Sequence, residues 1–165
     1  MISETLSKLL LLWVATLMGL NSYSQKALAG SVITQELLQH YVQALSHDSM
    51  QGRYTGTIGC EKSADLIATE MRKIELKLIK NGDSNYRHPY YIAKGKDTIM
   101  AANIIGLIPG KISEKFIIFS AHFDHVGDAS EQVIWQQLKT TIGDKIYNGA
   151  NDNASGVAAL LALAT

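Results

Sequence analysis

The chain has 165 residues, 47% of them apolar and 18% charged, a balance that suits one globular domain and excludes a disordered tail. Lys plus Arg and Asp plus Glu stand at 15 each, so no basic excess points to nucleic acid or to an anionic membrane. The single cysteine, Cys60, excludes an intrachain disulfide framework and a cysteine-based zinc cage.

Lys8 precedes a charge-free, largely apolar run from Leu9 to Leu20, and small and polar residues follow. That order is the one of a secretory signal. A run of about twelve residues is too short to span a bilayer, which needs about twenty. Small-x-small cleavage points lie after Ser24 (Ser22-Tyr23-Ser24) and after Ala29 (Ala27-Leu28-Ala29). Residues 1–29 are therefore expected to be a signal peptide. Residues 30–165 would be the mature part, periplasmic or extracellular and free of the membrane after cleavage. Glu4 offsets Lys8, which leaves an uncleaved anchor as the alternative. Both place the domain outside the cytoplasm.

The apolar positions Ile33, Leu37, Leu38, Tyr41, Val42 and Leu45 follow one helical stripe, with Thr34 as its cap. His47 to Gly59 holds three glycines and no period, and reads as a loop. Cys60 stands at what looks like a helix start, either as a small packed residue or as a reactive thiol. Ala64, Ile67, Ala68, Met71 and Ile74 mark a second amphipathic helix closing around Leu76 to Leu78, and Asn81-Gly82-Asp83 is a turn. After Pro89 the pattern becomes that of strand. Tyr90 to Ala93 and Thr98 to Ile108 flank Lys94-Gly95-Lys96-Asp97 as in a hairpin. Asn103 to Ile108 and Phe116 to Ala121 are apolar nearly throughout, as strands covered on both faces are. Asp128 to Tyr147 is polar and predicts a surface excursion, with some helix near Glu131 to Leu138. Ala154 to Thr165 is small, apolar helix material. Helices first, then buried strands with helices between, predict an α/β fold: a central mixed sheet sandwiched by helices.

Two segments carry the candidate chemistry. His122-Phe123-Asp124 follows a predicted buried strand at its carboxyl end, where ligand sites of open α/β sheets lie. A metal-binding histidine commonly gives its other ring nitrogen to a carboxylate, and Asp124 lies on the same side of an extended chain. Asn148-Gly149-Ala150-Asn151-Asp152-Asn153-Ala154-Ser155-Gly156 precedes an apolar helix. By spacing alone it is a turn and a helix cap, in which Asp152 or Asn153 satisfies free backbone donors. No glutamate closes the twelve-residue pattern of a calcium loop.

Taken together, Ser-Ala-His-Phe-Asp-His-Val-Gly and Ile-Tyr-Asn-Gly-Ala-Asn-Asp-Asn-Ala-Ser-Gly-Val-Ala-Ala-Leu-Leu closely resemble the co-catalytic zinc peptidase family. That family includes bacterial secreted leucyl-type aminopeptidases and, more distantly, glutamate carboxypeptidase and glutaminyl cyclase. Gly52-Arg53-Tyr54-Thr55-Gly56-Thr57 and Asn103 to Gly110 agree with it, so the resemblance runs from about Leu37 to Leu161. It implies that His122 ligates one zinc, that Asp124 orients His122, and that Asp152 bridges two zinc ions. It also implies a cis peptide bond before Asn153. Asn151 stands where the family most often has aspartate, a position that is not the bridging ligand. His125 is typical of the family and reads as a loop-packing residue. His40, His47 and His88 have nothing to recommend them as ligands.

The implied activity is hydrolysis of peptides from the amino end, with peptide as the partner and two zinc ions as cofactors. Two such ions acidify a shared water and polarise the substrate carbonyl. The family's glutamate base and remaining ligands lie downstream of the Asn-Ala-Ser-Gly helix. The chain as given, ending at Thr165, is thus expected to be the N-terminal part of the domain, inactive alone, with its last apolar helix uncovered. The alternatives are carboxypeptidase or cyclase activity on the same scaffold, and a protease-like module that binds partners without catalysis, as the transferrin-receptor ectodomain does.

Overall fold

A computed structural model describes residues 33–112, 114–129 and 144–165. The expected signal peptide at 1–29, and the helix expected near 131–138, lie outside the described residues.

Helix α1 spans Gln35–Leu45. The Thr34 hydroxyl accepts the backbone N–H of Leu37 at 3.2 Å, and so satisfies one of the free donors of the first turn. The stripe read from the sequence buries Tyr41 and Leu45. The next segment is more ordered than a loop: Asp48–Arg53 turns in 3-10 geometry, broken at Gln51 and Gly52 (φ 50 and 66). Helix α2, Ile58–Lys73, begins six residues ahead of the first position in the apolar pattern, because Thr57 caps it, accepting from Cys60. Arg72 and Lys73 in its last turn complement the negative end of the helix dipole.

Strands β2 (Arg87–Lys94) and β3 (Asp97–Ile104) form the expected hairpin, antiparallel from Arg87↔Ile104 to Lys94↔Asp97. Gly95, at φ 65, takes the left-handed corner that a two-residue loop requires. Pro89 sits inside β2 rather than before it. A proline is tolerated there because β2 pairs on one side only. The hairpin is pinned to α2 by Arg87, whose two terminal nitrogens lie 2.7 Å from Glu61 and 2.7 Å from Asp65. A second, very short antiparallel pair joins β1 (Lys77–Leu78) to β4 (Gly106–Leu107). Helix α3 spans Ser155–Leu163. Its Val157, Ala158 and Leu161 pack with Tyr41 and Leu45 of α1 and Ile67, Ala68 and Met71 of α2 in one core. The face expected to be bare is thus largely covered, and Leu163 is the large side chain of α3 left exposed.

The fold is mixed α/β, but the central sheet is absent among the described residues. Phe116 to Phe119, expected to be buried, are between 67% and 86% exposed, and Ile108 is 61% exposed. Segment 116–121 pairs with no described strand. The physical reason is one of range. A hairpin closes through a two-residue turn, whereas an inner strand needs neighbours on both sides, brought there by longer crossovers.

Candidate metal centre

The two candidate segments come together. His122 lies in extended chain, with Nδ1 at 3.1 Å from the main-chain oxygen of Asp124 and 3.4 Å from its carboxylate Oδ1. With Nδ1 carrying the proton toward these acceptors, Nε2 keeps a free lone pair. Nε2 lies 3.3 Å from Oδ1 of Asp152. The three side chains are 56%, 46% and 71% exposed for His122, Asp124 and Asp152, so a substrate or an ion can reach them from solvent.

Local chemistry holds each group in place. The Thr55 hydroxyl donates to Oδ2 of Asp124 at 2.6 Å. The Asn153 amide donates to the carbonyl of His122 at 3.3 Å, tying the loop to the histidine segment. The Asp152–Asn153 peptide bond is cis, as the resemblance implied. Gly149 has φ 59, and a Cβ there would lie 2.6 Å from both the His125 ring and the main-chain oxygen of Asp152. Only glycine fits that corner without strain. Asn148 donates from Nδ2 to the Ser46 carbonyl and to Asp48, each at 2.7 Å, which fastens the start of the loop to the end of α1.

Gly52 to Thr57 agrees with the family resemblance in sequence, and the structure gives its arginine a definite task. Arg53 is fully buried and donates to four main-chain carbonyls: Phe123 (2.8 Å), Leu45 (2.6 Å), Asn148 (2.6 Å) and Gly149 (2.9 Å). One planar guanidinium therefore joins α1, the His122 segment and the Asp152 loop. Burial pulls its pKa below the ordinary value, opposed by Cys60, Asp124 and Asp152, yet a guanidinium in a protein stays charged. Backbone pairing supports the same junction: His125 N–H donates to Arg53 at 3.0 Å and Gly127 N–H to Gly52 at 2.9 Å. A Cβ on Gly52, at φ 66, would run into the Gly127 carbonyl. Arginine in a small-residue loop was the visible signal, although none of its acceptors could be read from it.

The remaining histidines take structural parts. His125 is packed into the loop, where burial first and the neighbouring Arg53 second hold its pKa below the ordinary value. His47 accepts the Ser49 N–H at 3.1 Å and caps the 3-10 turn. His40 stacks at a tilt on Tyr41, and Nε2 of His88 is buried against Gly82. Cys60 is buried, and desolvation pushes its thiol up to about 11, which makes it a packed residue and a poor nucleophile at neutral pH.

A neutral imidazole nitrogen and a carboxylate oxygen are donors that suit zinc. Two donors on one tetrahedral zinc, each about 2.0–2.2 Å from it, lie roughly 3.3–3.6 Å apart. The Nε2–Oδ1 separation of 3.3 Å fits that span. Among the described residues no group of three or more His, Cys, Asp or Glu side chains surrounds one point, so His122 and Asp152 offer two candidate donors of the four that zinc takes.

No curated protein and no solved structure matches the chain. Residues 103–165, which carry both candidate segments, match the model of Peptidase family M28. The order of the motifs and the His122–Asp124 pair accord with this match, which makes residues 103–165 similar to Peptidase family M28, a family of peptide-bond hydrolases.

Proposed function

We propose that the protein is an exported, zinc-dependent exopeptidase that releases residues from the amino end of peptides at a two-zinc site. The observation that carries this reading is the division of labour on His122. Its Nδ1 faces Asp124, and its Nε2 stands 3.3 Å from the Asp152 carboxylate. When bound, the pair of ions would supply an acidified water and a polarised substrate carbonyl. His122 would hold one ion through Nε2. Asp152 would bridge, since a carboxylate has two oxygens to share and an imbalance of charge to offset. Asp124 keeps the imidazole in the tautomer that leaves Nε2 free. A glutamate base, which the family resemblance implies, is not among the described residues brought to His122 and Asp152.

A central mixed sheet with Asn103 to Ile108 and Phe116 to Ala121 as inner strands belongs to the same reading. Its support is the nearly continuous apolar pattern of both runs and the match over 103–165. Export is supported by the charged, apolar and small segments in order across residues 1–29. Among the described residues no helix is long and apolar enough to cross a membrane. The test is zinc content and leucyl-anilide hydrolysis in the protein purified as its gene encodes it. His122→Ala should lose both, and Asp152→Asn should lose most of both. Zinc and turnover retained in both variants would refute the assignment.

A further inference from the structure

A carboxylate that orients a histidine must itself be held, because rotation about its Cβ–Cγ bond exchanges the oxygen facing the ring. Asp124 is 46% exposed, so packing alone does not fix it. The backbone pairing of Gly52 and Arg53 with Gly127 and His125 lays Thr55 alongside Asp124. There the Thr55 hydroxyl donates to Oδ2 at 2.6 Å, while Oδ1 faces His122 Nδ1 at 3.4 Å, beside the main-chain oxygen of Asp124 at 3.1 Å. Each carboxylate oxygen thus has its own assigned neighbour, and swapping them would break the shorter contact. Arg53 fixes the rest of the frame by holding the carbonyl of Phe123, the residue between His122 and Asp124.

We propose that Thr55 is a positioning residue of the metal centre, acting through Asp124 on the tautomer and aim of His122. The inference rests on the reading of His122 as a zinc ligand. Thr55 touches neither metal nor substrate. Its hydroxyl holds Asp124 with Oδ1 toward the ring, which keeps the proton on Nδ1 and the lone pair of Nε2 directed at the Asp152 side. Losses of about 10- to 100-fold in metal affinity are usual when such outer partners are removed.

Thr55→Val keeps the shape and removes the hydroxyl, and Thr55→Ser keeps the hydroxyl and removes the methyl. Zinc affinity is read by competition with a chromophoric chelator, and the His122 tautomer by its ring nitrogen shifts in the metal-free protein. Thr55→Val should bind zinc at least about 10-fold more weakly and populate both tautomers, while Thr55→Ser matches the parent in both readouts. If Thr55→Val does not fold, Thr55→Ala against Thr55→Ser makes the same comparison. Parent-like affinity and a single tautomer in the variant without the hydroxyl would overturn the proposal. Weak zinc binding in Thr55→Ser equal to that in Thr55→Val would overturn it too, because the hydroxyl would then not be the cause. His122→Ala separates the two readings. If it loses zinc while Thr55→Val does not, the role of Thr55 fails and the metal centre stands; if it binds zinc like the parent, the metal centre itself fails.

Discussion

A guanidinium carries five N–H donors in a rigid plane, and each must find an acceptor when water is excluded. At Arg53 the acceptors are carbonyls of Leu45, Phe123, Asn148 and Gly149, which are 8, 70, 95 and 96 positions away along the chain. Such a set has no local signature, so the loop around Arg53 was legible as special and its task was not. By contrast, the meeting of His122, Asp124 and Asp152 was legible, because each belongs to a short motif that the family resemblance places at one site. Replacing Arg53 by Met would take the guanidinium donors from all four carbonyls, although Gly149 keeps the Ala154 N–H at 3.2 Å. We expect Arg53→Met to destabilise the fold by roughly 3–5 kcal/mol, measured by urea denaturation, with the His122 segment and the Asp152 loop exchanging amide hydrogens faster. A loss below about 1 kcal/mol, the level of an ordinary surface change, would show that the guanidinium is not the junction it resembles.

At the scale of elements, the Thr34 cap and the hairpin turn were read correctly because their determinants are a few residues long, whereas the cap read at Asp152 or Asn153 is not formed: Ala154 stands at the start of α3 with no side-chain cap bond. Thr34 starts α1, Gly95 closes the hairpin, and glycines bracket the loop before α3. The start of α2 was legible at Cys60, two residues inside it, although Ile58 is 69% exposed and lies off the apolar stripe; the cap at Thr57 decides where the helix begins. The run Phe116 to Ala121 shows the opposite case. Its composition demands cover on two faces, and among the described residues no strand provides it. A contiguous apolar stretch of extended chain with free edges favours association. Ile118 is 86% exposed, so Ile118→Glu in the 165-residue chain should reduce self-association in sedimentation runs and leave the helical circular dichroism unchanged. A variant that loses its helical signal would mean that this run is already packed as an inner strand.

At the scale of the whole molecule, the helical layer was legible and the sheet was not. The core joins α1, α2 and α3 through side chains whose 3.6-residue spacing is visible in the sequence. Sheet order depends on pairings between distant segments, which no local period encodes. The site sits where these two levels meet: a histidine at the end of an extended segment, a loop at the start of α3, and a buried arginine joining both to α1. The two proposed metal donors are brought to 3.3 Å of one another by this frame.

The most direct test is an anomalous difference map recorded at the zinc absorption edge from crystals of the protein grown with zinc. A peak should stand about 2.0–2.2 Å from His122 Nε2 and at a similar distance from a carboxylate oxygen of Asp152. Zinc bound elsewhere, with both of those atoms bare, would contradict the account.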